Sequence, residues 1–507
     1  MTRRGPVVAG LMLSTALAAM DATIVATAVP AIVRDLGSFS LFPWVIAVYM
    51  LTQAVCTPIY GRLADVYGRK PMLLVGAGIF LAGSLFAGVA WSMPALIVAR
   101  ALQGVGAGAI QPITQTIAGD IYPLAQRGRI SALISTVWGG AALLGPALGG
   151  LLSEFGLWRW IFLLNLPVGI AALTMVTVFL HESVERRPHR LDLLGTALLS
   201  VGVVVVMIGL QESLWWAVPV GLVSLVAFFR WEHRAAEPIV PPWIWRDRML
   251  LGAFLGSAVV GAVLIAPSLY LPTYAQGLLG ASAVAAGFAL ATQSIGWPLA
   301  AALADRLYLR YGFRDTALAG LALIVVSSVM FVLLTPDSPL VYAGACSFVN
   351  GFGLGLLSVS CVVGAQSVVG WERRGVVTGG VVFFRSAGSA VGTAVFAAVA
   401  GASMLSGGTV SSVDQVAAAL DGPQARAARA ALASAVHHVF LAMLAVAVLG
   451  VLAVLVMPRR REPLADAASA DSDPAGSDPA GSDPADAGAG GGGPAGEGAS
   501  AEGRPTG

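Results

Sequence analysis

The sequence predicts an all-α polytopic membrane protein, and three observations carry that prediction. Of its 507 residues, 57% are hydrophobic and only 11% charged, with a mean hydropathy of +0.82, whereas soluble domains carry about 25% charged residues. Apolar runs long enough to cross a hydrocarbon layer of about 30 Å as helices recur along the chain. The alternating apolar and polar strands of an outer-membrane barrel are absent.

The apolar runs place helical segments at 7–32, 41–60, 72–91, 94–119, 129–153, 160–180, 191–211, 214–229, 250–274, 285–304, 316–334, 339–367, 376–402 and 436–457, fourteen in all. The first is too long for a cleaved signal peptide and lacks a small-residue cleavage site. Arginines fix the expected orientation, because short basic loops stay in the cytoplasm. Arg3 and Arg4 precede the first segment, and every second connection after it is basic: Arg69 and Lys70, then Arg127 and Arg129, then Arg186, Arg187 and Arg190, and so on to Arg459–Arg461. The alternate connections hold only Arg34, Arg159, Arg426 and Arg429. Both termini are therefore expected in the cytoplasm, and the net charge of +2 reflects topology and not nucleic-acid binding.

Cys56, Cys346 and Cys361 fall inside apolar segments, read as small buried hydrophobes, and no metal-ligand spacing is present. From about residue 462 the chain becomes a Pro/Gly/Asp/Ser tail with no large apolar residue after Leu464, expected to be disordered. The connection 403–435 has helical composition, so a short surface helix is expected there.

The chain also repeats itself. Gln103-Gly104-x-Gly106-x-Gly108 in the fourth segment is echoed by Asn350-Gly351-x-Gly353-x-Gly355 in the twelfth, and "GRLADVYGRK" (61–70) by "AALADRLYLRYGFR", with Asp305 answering to Asp65 and Ala301 standing where Gly61 stands. This register implies an N-terminal six-helix half (1–185), an inserted two-helix linker (186–248), a C-terminal six-helix half (249–461) and the tail (462–507). Transporters are commonly built from such repeats, with the substrate path between them.

These motifs resemble the major facilitator superfamily, and within it the fourteen-helix drug:proton antiporter branch. "GRLADVYGRK" is similar to the signature loop between the second and third helices, with Gly61, Asp65, Gly68, Arg69 and Lys70 at the family positions. "RALQGVGAG" carries Arg100, Gln103, Gly104 and Gly108 of the branch's helix 4 motif, and "GPALGG" the Gly145, Pro146, Gly149 and Gly150 of its antiporter motif. "MDATIVATAVP" resembles the branch's first-helix element, with Ala26 where Asn is usual; "WRWIFLLNLPVG" (158–169) and "LDLLG" (191–195) fit as well. The resemblance implies a major facilitator fold in which the signature loop forms a cytoplasmic gate, Asp65 facing the positive end of the thirteenth segment. It further implies a monomer in a bacterial cytoplasmic membrane, driven by the proton gradient, with no cofactor and no ATP.

Few ionisable residues lie deep in the segments, where each costs about 2.5–3.5 kcal/mol on insertion scales. Asp21 lies roughly 21 Å along the first segment and Arg100 roughly 9 Å into the fourth from the other side, at similar depth. Asp21 alternating between a neutral form and an ion pair with Arg100 supplies a means of proton coupling, and a static pair that fixes packing is the competing reading. Arg385 is the third deep charge, suited to a polar cavity partner, to substrate or to packing. Gln111, Gln115 and Asn350 are candidates to line the same cavity, along with Gln293, Gln366, Trp44, Trp138, Phe383 and Phe384. Pro146 and its glycines give the fifth segment a flexible, closely packing face.

The function the resemblance implies is proton-coupled efflux of hydrophobic or amphipathic small molecules, drugs or antibiotics. The alternative is a dedicated exporter of one natural product, lipid or siderophore. An enzyme is not expected, since HExxH, GxSxG and P-loop motifs are absent.

Overall fold

A computed structural model describes residues 4–37, 41–182, 192–211, 214–235, 238–406 and 425–459, all in helices and short connections. The tail and residues 407–424 of the 403–435 connection lie outside the described residues.

Each predicted segment holds helix. The first is divided: α1 (Arg4–Ile24) gives way to a 3-10 turn, Val25–Ala28, and resumes as α2 (Val29–Leu36). Pro30, in the first turn of α2, has no N–H to return to Ala26, so the ladder cannot run through. There follow α3 (Phe42–Tyr67), α4 (Arg69–Gly88), α5 (Met93–Ile121) and α6 (Leu124–Glu154). The sixth segment is split into α7 (Trp160–Leu163) and α8 (Asn165–Phe179), where Pro167 removes the bond back to Leu163. The chain continues as α9 (Leu193–Gln211), α10 (Ala217–Glu232), α11 (Arg248–Gly277), α12 (Ala283–Tyr311), α13 (Phe313–Val332), α14 (Leu340–Ser367), α15 (Arg374–Ser406) and α16 (Ala425–Leu455). The last helix starts well before the predicted 436, because the Ala-rich "ARAARAALASA" extends it.

Among the described residues, eleven helical stretches are long and apolar enough to cross a membrane. Helix α9 offers a shorter apolar stretch, Leu194–Gly209, and α10 has 16 residues. Helix α12 is long but carries Gln293, Ser294, Asp305, Arg306 and Arg310.

Helix α4 packs on α5, α3 on α5, α12 on α14 and α11 on α15; across the middle, α6 meets α12 and α3 meets α15. The α9–α10 hairpin is joined at Gly202 and Gly221, each against the other helix's backbone. It covers α3 through Leu199, Val203 and Met207, which pack on Leu51, Ala54 and Val55. At the α2 end of the bundle, Asp35 accepts from the Arg159 guanidinium and from Trp158 Nε1 (3.2 Å), which hold its carboxyl below the usual range. Any stability this exposed pair adds is lost as pH falls through that lowered value.

The second half of α6 packs on one face only. There Thr23 Oγ1 donates to Ala141 O (3.0 Å), and a Cβ on Gly145 or Gly149 would overlap Thr23, Thr27 or the Ile24 carbonyl. Gly150 faces open space. Gly149→Ala should therefore cost about 1–3 kcal/mol through overpacking and lower the Tm of the purified protein, whereas Gly150→Ala should leave it unchanged. Equal Tm values for both would remove the packing explanation of the "GPALGG" spacing.

Candidate functional site: a charged latch, a buried acid and a central cavity

Helix α3 crosses α15 where Gly61 meets Gly375 and Gly379, with a Cβ on Gly61 only 2.7 Å from the Gly375 carbonyl. This approach brings the Asp65 carboxylate onto the first turn of α15. The Gly375 N–H donates to its Oδ1 (2.8 Å) and the Val376 N–H to its Oδ2 (2.7 Å), using two donors that a helix N-terminus leaves unpaired. Arg69, 1% exposed, donates Nη2 to Asp65 (2.9 Å) and Nε to Asp120 (3.2 Å), bonds the Trp371 carbonyl and stacks 3.8 Å from the Trp371 ring. Arg374 closes the network, Nη1 reaching Asp120 (3.1 Å) and the Gly119 carbonyl (3.2 Å).

Lys70, the only lysine in the chain, stands apart from the crossing. Its Nζ donates to the carbonyls of Thr177 (2.8 Å) and Leu180 (2.7 Å), capping the end of α8, while the Arg69 and Lys70 N–H groups donate to Glu182 (2.9 and 2.8 Å). Gly68 joins α3 to α4 at φ +99°, a conformation suited to glycine.

The echoed loop builds a weaker version. Gly312 also has positive φ (+91°), but it follows Asp305 by seven residues where Gly68 follows Asp65 by three. Asp305 sits against Gly128 of α6; it accepts from the Arg306 N–H (2.8 Å) and lies 3.7 Å from the exposed Arg129 guanidinium.

Deep in the bundle, Asp21 and Arg100 form an ion pair, with Asp21 0% and Arg100 1% exposed. Gln103 Nε2 (3.1 Å) and Asn165 Nδ2 (3.3 Å) donate to Asp21 Oδ1, and both amides also donate to Ser84 Oγ (2.7 and 3.2 Å). Arg100 donates to Gln103 Oε1 (2.9 Å) and to the Val45 carbonyl (3.2 Å), with its guanidinium 4.1 Å from the Tyr49 ring centre. Gly104 and Gly108 let α5 approach α3 at Tyr49 and Gln53. Neither Asp21 nor Arg100 lines the cavity; Tyr49 stands between them and it, its buried hydroxyl without a hydrogen-bond partner.

The cavity holds about 1050 Å³. Its lining runs from Gly119, Arg127 and Gln366, beside the latch, to Trp215 and Ala398 toward the other end. Gln111, Gln115, Arg385, Gln293, Gln366 and Trp138 line it. Asn350 does not, which corrects the expectation: it is 0% exposed inside α14, and neither amide atom has a hydrogen-bond partner. Trp44, Phe383 and Phe384 also lie off the cavity; Phe384 stacks on Phe254 at 5.2 Å.

Sequence reasoning missed Asp120, Trp371, Ser84 and Asn165. Asp120 carried a usable signal, an acid ending an apolar segment just before a basic loop. Asn165 lay inside the "WRWIFLLNLPVG" stretch, whose family likeness was the available signal; Ser84 carried none, being an ordinary small polar residue in an apolar run.

The Major Facilitator Superfamily model matches residues 11–393. The chain belongs to the major facilitator superfamily. It is thus a multi-pass membrane protein. It is similar to the Multidrug resistance protein 3 of Bacillus subtilis (strain 168), 34% identical over 403 residues that span 78% of this chain and 79% of that one. It is also similar to the Multidrug transporter protein MdtP of the same organism, 30% identical over 413 residues (78% and 75%). The solved structure of the human organic anion transporter MFSD10 (TETRAN) superposes with a TM-score of 0.63 at 16% identity, covering 90% of this chain and all of that one, which shows a shared fold.

Asp65→Asn keeps the shape of the side chain but removes its charge and one acceptor oxygen. Losing charge-assisted bonds of about 1.5–3 kcal/mol each should speed hydrogen exchange at the Gly375 and Val376 amides by about tenfold or more. Asp305→Asn should change exchange at the start of α6 far less. Unchanged exchange in Asp65→Asn would mean that the carboxylate does not hold the crossing shut.

Proposed function

We propose that this major facilitator protein exports hydrophobic or amphipathic small molecules across a bacterial cytoplasmic membrane, as a monomer exchanging them for protons. The observation that carries the reading is the central cavity: large, mostly apolar, dotted with amides and hydroxyls, and blocked at one end by the Asp65 latch. Such a lining accommodates varied apolar bodies and orients them by a few polar groups. Both described ends of the chain lie at the latch end, with Arg4 over Tyr122 and Gly312 against Arg459. The loops there are the basic ones, so this end is assigned to the cytoplasm and the conformation is one closed to the cytoplasm. On this reading two six-helix halves rock about the cavity, with α9 and α10 as the inserted pair among fourteen spans. The names of the two Bacillus relatives point the same way.

Proton coupling is assigned to Asp21. In the present arrangement both oxygens of its carboxylate are engaged, by Arg100, Gln103 and Asn165. A shift of α1 or α5 that separates it from Arg100 would leave a desolvated carboxyl, which takes up a proton. The residues that hold it together are the same ones that would have to part.

Asp21→Asn should abolish proton-gradient-driven substrate accumulation in everted vesicles while leaving exchange without a gradient, since the amide cannot titrate. Arg100→Lys should restore only part of the activity, because an ammonium cannot replace the guanidinium fork. Substrate-induced proton release that persists in Asp21→Asn would move the coupling site, with Glu212 and Glu154 the next carboxyls to test. A resistance profile of a pump-deficient strain expressing the protein separates broad efflux from export of a single compound.

A further inference from the structure

Charged side chains on the cavity wall are few and of one sign. Arg127 and Arg385 line it, and among the described residues none of the lining is acidic. Arg127 lies at the floor and is fixed there, donating Nε to the Tyr122 carbonyl (3.0 Å). Arg385 stands about 16 Å along α15 from Arg374. It makes no hydrogen bond or ion pair with any described residue. Other deep arginines have carboxylates: Arg100 has Asp21, and Arg69 and Arg374 share Asp120. Beside Arg385, the hydroxyls of Ser386 and Ser389 donate to the carbonyls of Val382 (3.2 Å) and Gly261 (3.0 Å), and being uncharged they cannot neutralise it.

From this we infer that the cavity takes monoanionic amphiphiles, an apolar or aromatic body bearing one carboxylate or sulfonate, and that Arg385 binds the anionic group. The inference rests on the export reading and names its substrate class. A guanidinium removed from bulk water is costly without a counter-ion, and the fork geometry suits a pair of oxygens of a carboxylate or sulfonate. Trp138, Trp215 and Trp297 on the same wall offer flat surfaces to the apolar body. A lipophilic cation meets the reverse situation, repelled by Arg385 with no carboxylate among the described residues of the wall to receive it.

Two probes that share a fluorophore and differ in their charged end decide the matter: dansyl-aminohexanoate, an anion, and dansyl-cadaverine, a cation. Binding to the purified full-length protein is read by dansyl fluorescence. The wild type should bind the anion at least about tenfold more tightly, the scale of one charge-assisted contact. Arg385→Met should abolish that preference by weakening only the anion, and Arg385→Lys should keep part of it. Equal or tighter binding of the cation by the wild type overturns the inference, and needs no variant to fold. So does a preference that survives in Arg385→Met. Transport of both probes in vesicles keeps the two readings apart. An anion bound selectively but never moved against a gradient would defeat the export reading and leave the ligand class standing. Gradient-driven export of the cation alone would defeat the ligand class and leave export standing.

Discussion

One contact organises the latch end: the Asp65 carboxylate on the exposed amides of α15. It exists only because Gly61 and Gly375 let two backbones meet without side chains between them. Around it are two carboxylates, Asp65 and Asp120, and two guanidiniums, Arg69 and Arg374. Buried charges persist only when paired and hydrogen-bonded, and removing one strands the others at about 3–5 kcal/mol. The set therefore forms or separates as a unit. Separation leaves Asp65, Arg69 and Asp120 on α3–α5 and Arg374 on α15, each group free to take up water in place of its partners. That balance suits a contact that must hold firmly and still be reversible.

The ion pair of Asp21 and Arg100 is a different kind of object. All its partners, Gln103, Ser84, Asn165 and the Val45 carbonyl, come from helices in the first third of the chain, and none reaches across to α11–α16. Its link to the cavity is the Tyr49 ring, which the guanidinium stacks on one side and the cavity touches on the other. Movement of α3 that opens the latch would carry Tyr49 with it, because Gly61 and Tyr49 belong to the same helix.

The repeat makes the asymmetry of the molecule visible. At the position answering to Gln103, whose amide is fully engaged, Asn350 is buried without partners; at the position of Arg100 stands Ser347, bonded to its own helix (3.1 Å). The second loop keeps its acid and its left-handed glycine but replaces Gly61 with Ala301, and its longer Asp305–Gly312 spacing extends α12 by a turn. One side of the molecule carries the ionic machinery and the other supplies α15, which bears both the latch amides and Arg385.

The sequence by itself determined the helical class and the approximate helix limits, since hydropathy and length report directly on what a bilayer accepts. The resemblance of "GRLADVYGRK" to the family's signature loop pointed to Asp65, and the deep charges and glycine positions stood out because charge within apolar runs is costly and ordered small residues mark close packing. Arg385 was visible as a deep charge for the same reason. Its lack of a counter-ion was not visible, because pairing depends on residues hundreds of positions away. Tertiary structure alone brought Asp120 to Arg374, Asn165 and Ser84 to the Asp21 cluster, and Arg385 to a wall with no acid among its described residues. It alone also removed Asn350 from the cavity, since helical spacing gives the faces of a helix but not which neighbour each face meets. Burial and partnership are properties of the packed assembly. Polarity and period belong to the chain.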